Sequence, residues 1–186
     1  QARVDAAKNE AHYMASLIQN LALAAKLEAG EPDLATERID LNALVDRVVA
    51  RHTPIARMRG IALEHATPES RLLAVGDVTL VEQAVSNIVL NAVQHVEAGG
   101  HVAVVLDRGD HERFVIRVVD DGPGMSAAEL DRVVERGLRG NDARTRAPAG
   151  RGLGLDIVQR VIRIHEWTLA ITSAEPRGLS VVVEGS

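Results

Sequence analysis

Asn87, Asn91, Gln94 and His95 recur at i, i+4, i+7 and i+8, beside an apolar series made by Val81, Val85, Ile88, Ala92 and Val96. On a helix this spacing gives one apolar face bordered by a stripe of carboxamides. Asparagine is a poor interior helix residue, because its amide competes for backbone hydrogen bonds. Two of them one turn apart are either a solvated polar face or a set of neutral oxygen donors. Such donors can hold a metal–phosphate group: they ligate Mg2+ without adding charge, and waters and phosphate oxygens complete the shell.

A second group is Val118-Val119-Asp120-Asp121-Gly122-Pro123-Gly124-Met125. An apolar strand runs into two acids and a turn with two glycines. The glycines let backbone approach a ligand closely, and a carboxylate fixed at a strand end can accept a hydrogen bond from an exocyclic amine. Taken alone, the same residues also suit an ordinary turn. A third group, Gly150-Arg151-Gly152-Leu153-Gly154-Leu155, opens a helix. Free N–H groups at a helix start, preceded by glycines, form an anion site suited to phosphate. No Gly-Lys-Ser/Thr follows, so this is not a Walker A loop. A loop and not a strand precedes it, which argues against a dinucleotide fingerprint.

These groups need elements to hold them. Residues 3–28 read as one helix with no N-cap signal before it. Met14, Leu17, Ile18, Leu21, Ala24, Ala25 and Leu27 form a single apolar seam, so its expected partner is a helix outside these 186 residues. Gly30 and Pro32 stop it, and 31–39 reads as a linker. Asp40 caps a helix from Leu41 to about Arg51, which Pro54 is expected to kink or end. Strands are predicted at Ile61–His65 and Leu72–Val75. Asp77 caps the Asn87 helix, which runs to about Glu97 before Gly99-Gly100. Strands follow at Val102–Leu106 and Phe114–Val119, joined by Arg108-Gly109-Asp110. Ser126-Ala-Ala-Glu129 is a capping box. Residues 137–151 read as a mobile loop, Leu153–Ile164 as a helix, and Leu169–Thr172 and Leu179–Val183 as strands. The expected fold class is α+β: a two-layer sandwich over 40–186, with helices on one face of a mixed sheet, preceded by a helical arm at 1–30.

Bulk properties narrow the function. The net charge of −5 offers no basic surface for nucleic acid or an anionic membrane. With no cysteine, disulfides and Cys-ligated metal are excluded. No apolar run approaches the ~18 residues of a membrane span, and residues 1–30 do not read as a signal peptide. Aromatics are 2% of the chain, so the core must come from Ala, Val, Leu and Ile.

In this order, the three groups resemble one family, the sensor histidine kinases of bacterial two-component systems. Asn87-Ile-Val-Leu-Asn91-Ala92-Val-Gln94-His95 is similar to their N box, Asp120-Asp121-Gly122-Pro123-Gly124-Met125 to their first glycine box, and Gly150-Arg-Gly152-Leu-Gly154-Leu155 to their second. The flanks resemble them too. Gly76-Asp77 with Leu80, Glu82 and Gln83 is similar to the lead-in to the N box. Leu23-Ala-Ala-Lys-Leu27-Glu28-Ala29-Gly30 is similar to the end of the second dimerisation helix.

The resemblance implies a Bergerat-type fold that binds ATP with Mg2+. Asp120 would receive the adenine amino group. Asn91 would ligate Mg2+, with Asn87 beside it at the phosphates. Gly122, Gly124 and Met125 would shape the adenine pocket, with Gln94 and His95 along the same helix. Gly150, Gly152 and Gly154, with Leu153 and Leu155, would close a lid over the phosphates. Arg139 would meet the γ-phosphate. The γ-phosphoryl would pass to a histidine on the dimerisation domain, in its own or a second protomer, and then to an Asp on a response regulator receiver domain. The family also implies a cytoplasmic kinase portion of a protein anchored in the bacterial inner membrane, with no membrane contact by this segment.

Four departures stand out. Gln94 replaces the usual Lys, removing one phosphate charge partner. His95 replaces Tyr, with less stacking surface. Val134 and Gly137 stand at the two lid Phe positions, and Asp121 replaces Asn. None of the seven histidines lies in the family's acceptor motif; His12 reads as structural or exposed. Two alternatives remain: a degenerate module of the same superfold acting by protein contacts, and a gyrase- or chaperone-like ATPase. The latter place Glu where Asn87 stands, and an amide cannot serve as general base.

Overall fold

The computed structural model describes residues 14, 18, 20–22, 25, 34–110, 113–131 and 153–186. The domain begins with a two-stranded antiparallel ribbon, β1 (Thr36–Asp40) against β3 (Leu73–Asp77). Each ribbon strand runs directly into a helix through a capping aspartate. Asp40 Oδ1 accepts the Ala43 N–H at 3.1 Å at the start of α1 (Leu41–Met58). Asp77 Oδ1 accepts the N–H groups of Thr79 at 3.0 Å and Leu80 at 3.1 Å at the start of α2 (Val78–His95). The ribbon therefore sets the starting points of α1 and α2 together.

A five-stranded mixed sheet follows in the order β2-β4-β5-β7-β6. Its strands are β2 (Ala62–Ala66), β4 (His101–Arg108), β5 (Phe114–Asp120), β6 (Thr168–Ser173) and β7 (Leu179–Gly185). Only the β2–β4 pair is parallel. Alternate residues of β4 and β5 are buried: Val102, Val104, Leu106, Phe114, Ile116 and Val118 all lie in the core. Over that face pack α1, α2 and α3 (Leu153–Ile164), through Leu44, Val48, Val85, Val89, Val158 and Val161 among others. The expected α+β sandwich, with helices on one face, is the observed one.

Three expectations change. Residues 36–39, read as part of a linker, form β1 with Asp40. Only Ile39 of that strand is well buried, so its sequence carries no alternation, and pairing with β3 creates it. Pro54 does not end the helix: α1 continues to Met58. An interior proline costs about 3 kcal/mol. Here Pro54 and Ala50, whose carbonyl loses its donor, both lie on the exposed side, while the turn beyond is anchored by Ile55 and Ala56 in the core. Strand ends also move: β3 extends to Asp77, and β2 is displaced by one residue.

Phe114 and Trp167 meet edge to face, with ring centroids 4.8 Å apart, and His165 lies 4.8 Å from Trp167. His165 Nδ1–H donates to the Val161 carbonyl at 2.8 Å, and its Nε2 accepts the Asp77 N–H at 3.0 Å. His165 thus ties the end of α3 to the start of α2. Met14, Ile18, Asn20, Leu21, Ala22 and Ala25, the described residues of the arm, are helical. Among the described residues no helix is long and apolar enough to cross a membrane.

Candidate nucleotide site

Strand alternation decides where Asp120 points. It shares a face with Phe114, Ile116 and Val118, so it turns toward the helical layer at the end of β5, and only 8% of it is exposed. Its Oδ1 accepts the Gly122 N–H at 2.9 Å. Burial pushes the Asp120 carboxyl above its ordinary range. The N–H groups of Gly122 and Leu179 and the nearby His95 oppose that, while Asp121 adds to it. The result is a buried carboxyl with spare lone pairs, suited to a neutral N–H donor.

Asp121, one residue on, faces the other way. Its Oδ1 accepts the His101 N–H at 2.8 Å and its own N–H donates to the His101 carbonyl at 3.2 Å, closing the β4–β5 end. Asparagine would serve as the same acceptor, so this departure from the family pattern leaves the local geometry intact.

The glycines around Asp120 are required by space. A Cβ on Gly122 would lie 2.9 Å from Asp120 Oδ1, and Gly124 holds φ +73 with a Cβ site 3.1 Å from the Gly178 carbonyl oxygen. Gly178 is the tightest: at φ +106 its Cβ would fall 1.8 Å from the Asp120 carbonyl oxygen. Neither Gly178 nor Leu179 was singled out as a site residue from sequence. A glycine in a short connection between two strands was the available signal, but only β7 pairing beside β5 brings it against Asp120. Met125 is half-buried just beyond.

Asn87, only 3% exposed, and Asn91 lie on the side of α2 that faces the start of α3. A Cβ on Gly154 would sit 3.7 Å from Asn91 Nδ2 and 3.8 Å from Asn87 Cγ, so this glycine brings α3 close to both carboxamides without being crowded. Asn87 Nδ2 donates to the Gly154 carbonyl at 3.5 Å, and Asn87 Oδ1 accepts from Gln83 Nε2 at 3.5 Å. Leu155 is half-buried at the same end of α3. In the last turn of α2, Gln94 is half-buried, its carbonyl accepts Arg59 Nη2 at 3.0 Å, and His95 is exposed. The structure therefore brings Asn87, Asn91 and Gly154 together, and separately Asp120, Gly122 and Gly124, with α2 running between the two groups. Arg139, Gly150 and Gly152, the lid positions Val134 and Gly137, and the Leu153 side chain lie outside the described residues.

Residues 76–184 match the family model for histidine kinase-, DNA gyrase B- and HSP90-like ATPases. The sensor-like histidine kinase SenX3 of Mycobacterium tuberculosis is 31% identical over 169 residues, which cover 91% of this chain and 41% of SenX3. The chain thus spans about two fifths of that relative. The solved mycobacterial sensor histidine kinase MprB is 28% identical with a TM-score of 0.66, covering 81% of this chain and 96% of that one. Full-length ShkA in complex with AMPPNP is 25% identical with a TM-score of 0.75, covering 99% of this chain and 38% of that one. Matched over more than half its length, and with the N-box and glycine-box residues placed on one helical face and one strand end, the chain belongs to the histidine kinase-, DNA gyrase B- and HSP90-like ATPase family.

Proposed function

We propose that this chain is the ATP-binding catalytic part of a sensor histidine kinase, and that it transfers the γ-phosphoryl of ATP to a histidine nitrogen outside these 186 residues. One observation carries the reading. Two carboxamides and a close glycine converge on the second half of α2, while a buried carboxyl of raised pKa lies by the helix's C-terminal end. Asp120 accepts the adenine amino N–H, which selects for that base edge. Gly122 and Gly124 keep the floor of the pocket open. Asn87 and Asn91 meet the phosphate end and, being neutral, add no charge to repel it. Their oxygens suit Mg2+, which would neutralise phosphate charge when bound. Catalysis is then chiefly positioning: the bond from the γ-phosphorus to its bridging oxygen breaks, a P–N bond forms, and ADP departs.

The reading extends to partners. The acceptor histidine lies on a dimerisation domain, from the same or a second protomer, and a response-regulator Asp takes the phosphoryl next. A hydrolase is disfavoured because Asn87 cannot act as a base toward water.

Calorimetric titration with ATP, with and without Mg2+, tests the assignment, alongside Asp120→Asn. The expected result is Mg2+-assisted binding that weakens roughly 10- to 100-fold in the variant, the scale of an imperfectly matched buried hydrogen bond. An intact chain that ignores millimolar ATP would leave a module acting through protein contacts.

A further inference from the structure

Gln83 lies one turn before Asn87 on α2 and makes a bond that leaves the domain. Its Nε2 donates to Asn20 Oδ1 on the helical arm at 2.9 Å and stands 3.5 Å from Asn87 Oδ1. Asn20 is 5% exposed, whereas Met14, Ile18 and Leu21 of the same arm are 56%, 64% and 63% exposed. The usual order of burial is inverted here: the polar residue is inside and the apolar ones are outside. Burying an amide is tolerated only when it is hydrogen-bonded, and Gln83 is the partner that Asn20 finds. From Asn87 the series continues to the Gly154 carbonyl at 3.5 Å. An unbroken line of amides thus joins the arm to the start of α3 across the phosphate end of the site.

We infer that Gln83 is a positioning residue that couples docking of the arm to metal–nucleotide binding at Asn87. This rests on the reading of Asn87 and Asn91 as the phosphate end. The sign follows from where the Gln83 amide is held, since its two N–H groups can serve Asn20 and Asn87 together. With Asn20 in place, the Gln83 amide is drawn toward the arm, and Asn87 Oδ1 keeps only a 3.5 Å contact. Without Asn20, side chains at i and i+4 of one helix close on each other, and Gln83 caps the oxygen that the metal–phosphate group would use. Docking therefore favours loading, and loading favours docking by the same factor. The adenine end, built on β5 and β7, lies outside this line.

The test is calorimetry on the full chain with AMPPNP, once with Mg2+ and once with EDTA. The variants are Asn20→Ala, Asn20→Asp, Gln83→Leu and the Asn20→Ala/Gln83→Leu pair. Asn20→Ala should weaken Mg·AMPPNP binding about five-fold, the lower end of typical coupling, and leave metal-free binding unchanged. Asn20→Asp keeps an acceptor oxygen in either protonation state and should restore the affinity. In the Gln83→Leu background, Asn20→Ala should add nothing. Hydrogen exchange supplies a second readout: Mg·AMPPNP should slow exchange across 14–25 in the parent chain and not in Gln83→Leu. Equal Mg·AMPPNP affinities for the parent and Asn20→Ala would overturn the coupling and leave the ATP reading standing. A parent chain that binds no AMPPNP would overturn both.

Discussion

At the Asp120 end of the site the polar contacts are short and the backbone is crowded; at the Asn87 end they are long and there is room. The Asp120–Gly122 bond is 2.9 Å, and a Cβ on Gly178 would fall 1.8 Å from the Asp120 carbonyl. The two Asn87 bonds are both 3.5 Å, and a Cβ on Gly154 would find its neighbours at 3.7 Å or beyond. The first end is built from strands whose ladders fix every atom. The second lies between two helices that meet through side chains. A base edge is rigid and can be met by a preformed acceptor. A triphosphate with its metal is highly charged and gains from donors that can adjust around it.

Gly178→Ala is the most severe way to probe this contrast. Its Cβ would overlap the Asp120 carbonyl, and its φ of +106 suits only glycine. A loss of more than about 4 kcal/mol in denaturant unfolding is expected, together with nucleotide binding. A well-folded variant would show that the strand end is softer than its geometry. Gly122→Ala comes next. Its Cβ would sit 2.9 Å from Asp120 Oδ1 and displace the carboxylate, at about 1–3 kcal/mol in unfolding. Gly154→Ala should do the reverse at the other end. Helical alanine is favoured over glycine by about 1 kcal/mol and the added methyl would make ordinary contacts without a clash, so the free chain should melt higher. Nucleotide affinity should fall, because the added methyl stands between the two asparagines. A drop in melting temperature would mean that the Asn87 end is as tightly built as the other.

The smallest effect is the pH response of the free chain. Burial raises the folded-state pKa of Asp120 above the ordinary 3.8, so the folded state holds that proton more tightly. Its contribution to stability is fully present below 3.8 and is lost as pH rises through the raised value. Relative to Asp120→Asn, the parent chain should lose melting temperature across that window. Glu82 gives the opposite sign. Burial raises its pKa, but hydrogen bonds and charge from Arg47 and Arg51 outweigh that, and the net shift is downward. Stability from Glu82 is therefore present above the ordinary 4.5 and lost as pH falls through the lowered value. Comparing Asp120→Asn with Glu82→Gln separates the two slopes.

Much of the site was legible in the sequence because its signals are local. The Asn87–Asn91 spacing, the acids ending a strand and the glycines opening α3 each lie within a few residues and obey a helix or strand period. The residues that escaped reading are joined only across the fold. Gly178 acquires its role when β7 pairs with β5, Asn20 when the arm meets α2, and β1 when it pairs with β3. Gln83 was visible as part of the lead-in to the N box, but its bond to the arm was not.

The sequence by itself determined most of the elements and the aliphatic core, and it grouped the candidate site residues, because hydrophobic period and capping act over one or two turns of chain. The face of β5 that carries Asp120 follows by alternation once the structure puts Phe114, Ile116 and Val118 inside. Only the tertiary structure decided that one end of the site is rigid and the other loose. That difference comes from which backbones approach one another, and close approach between segments far apart in sequence leaves no period behind.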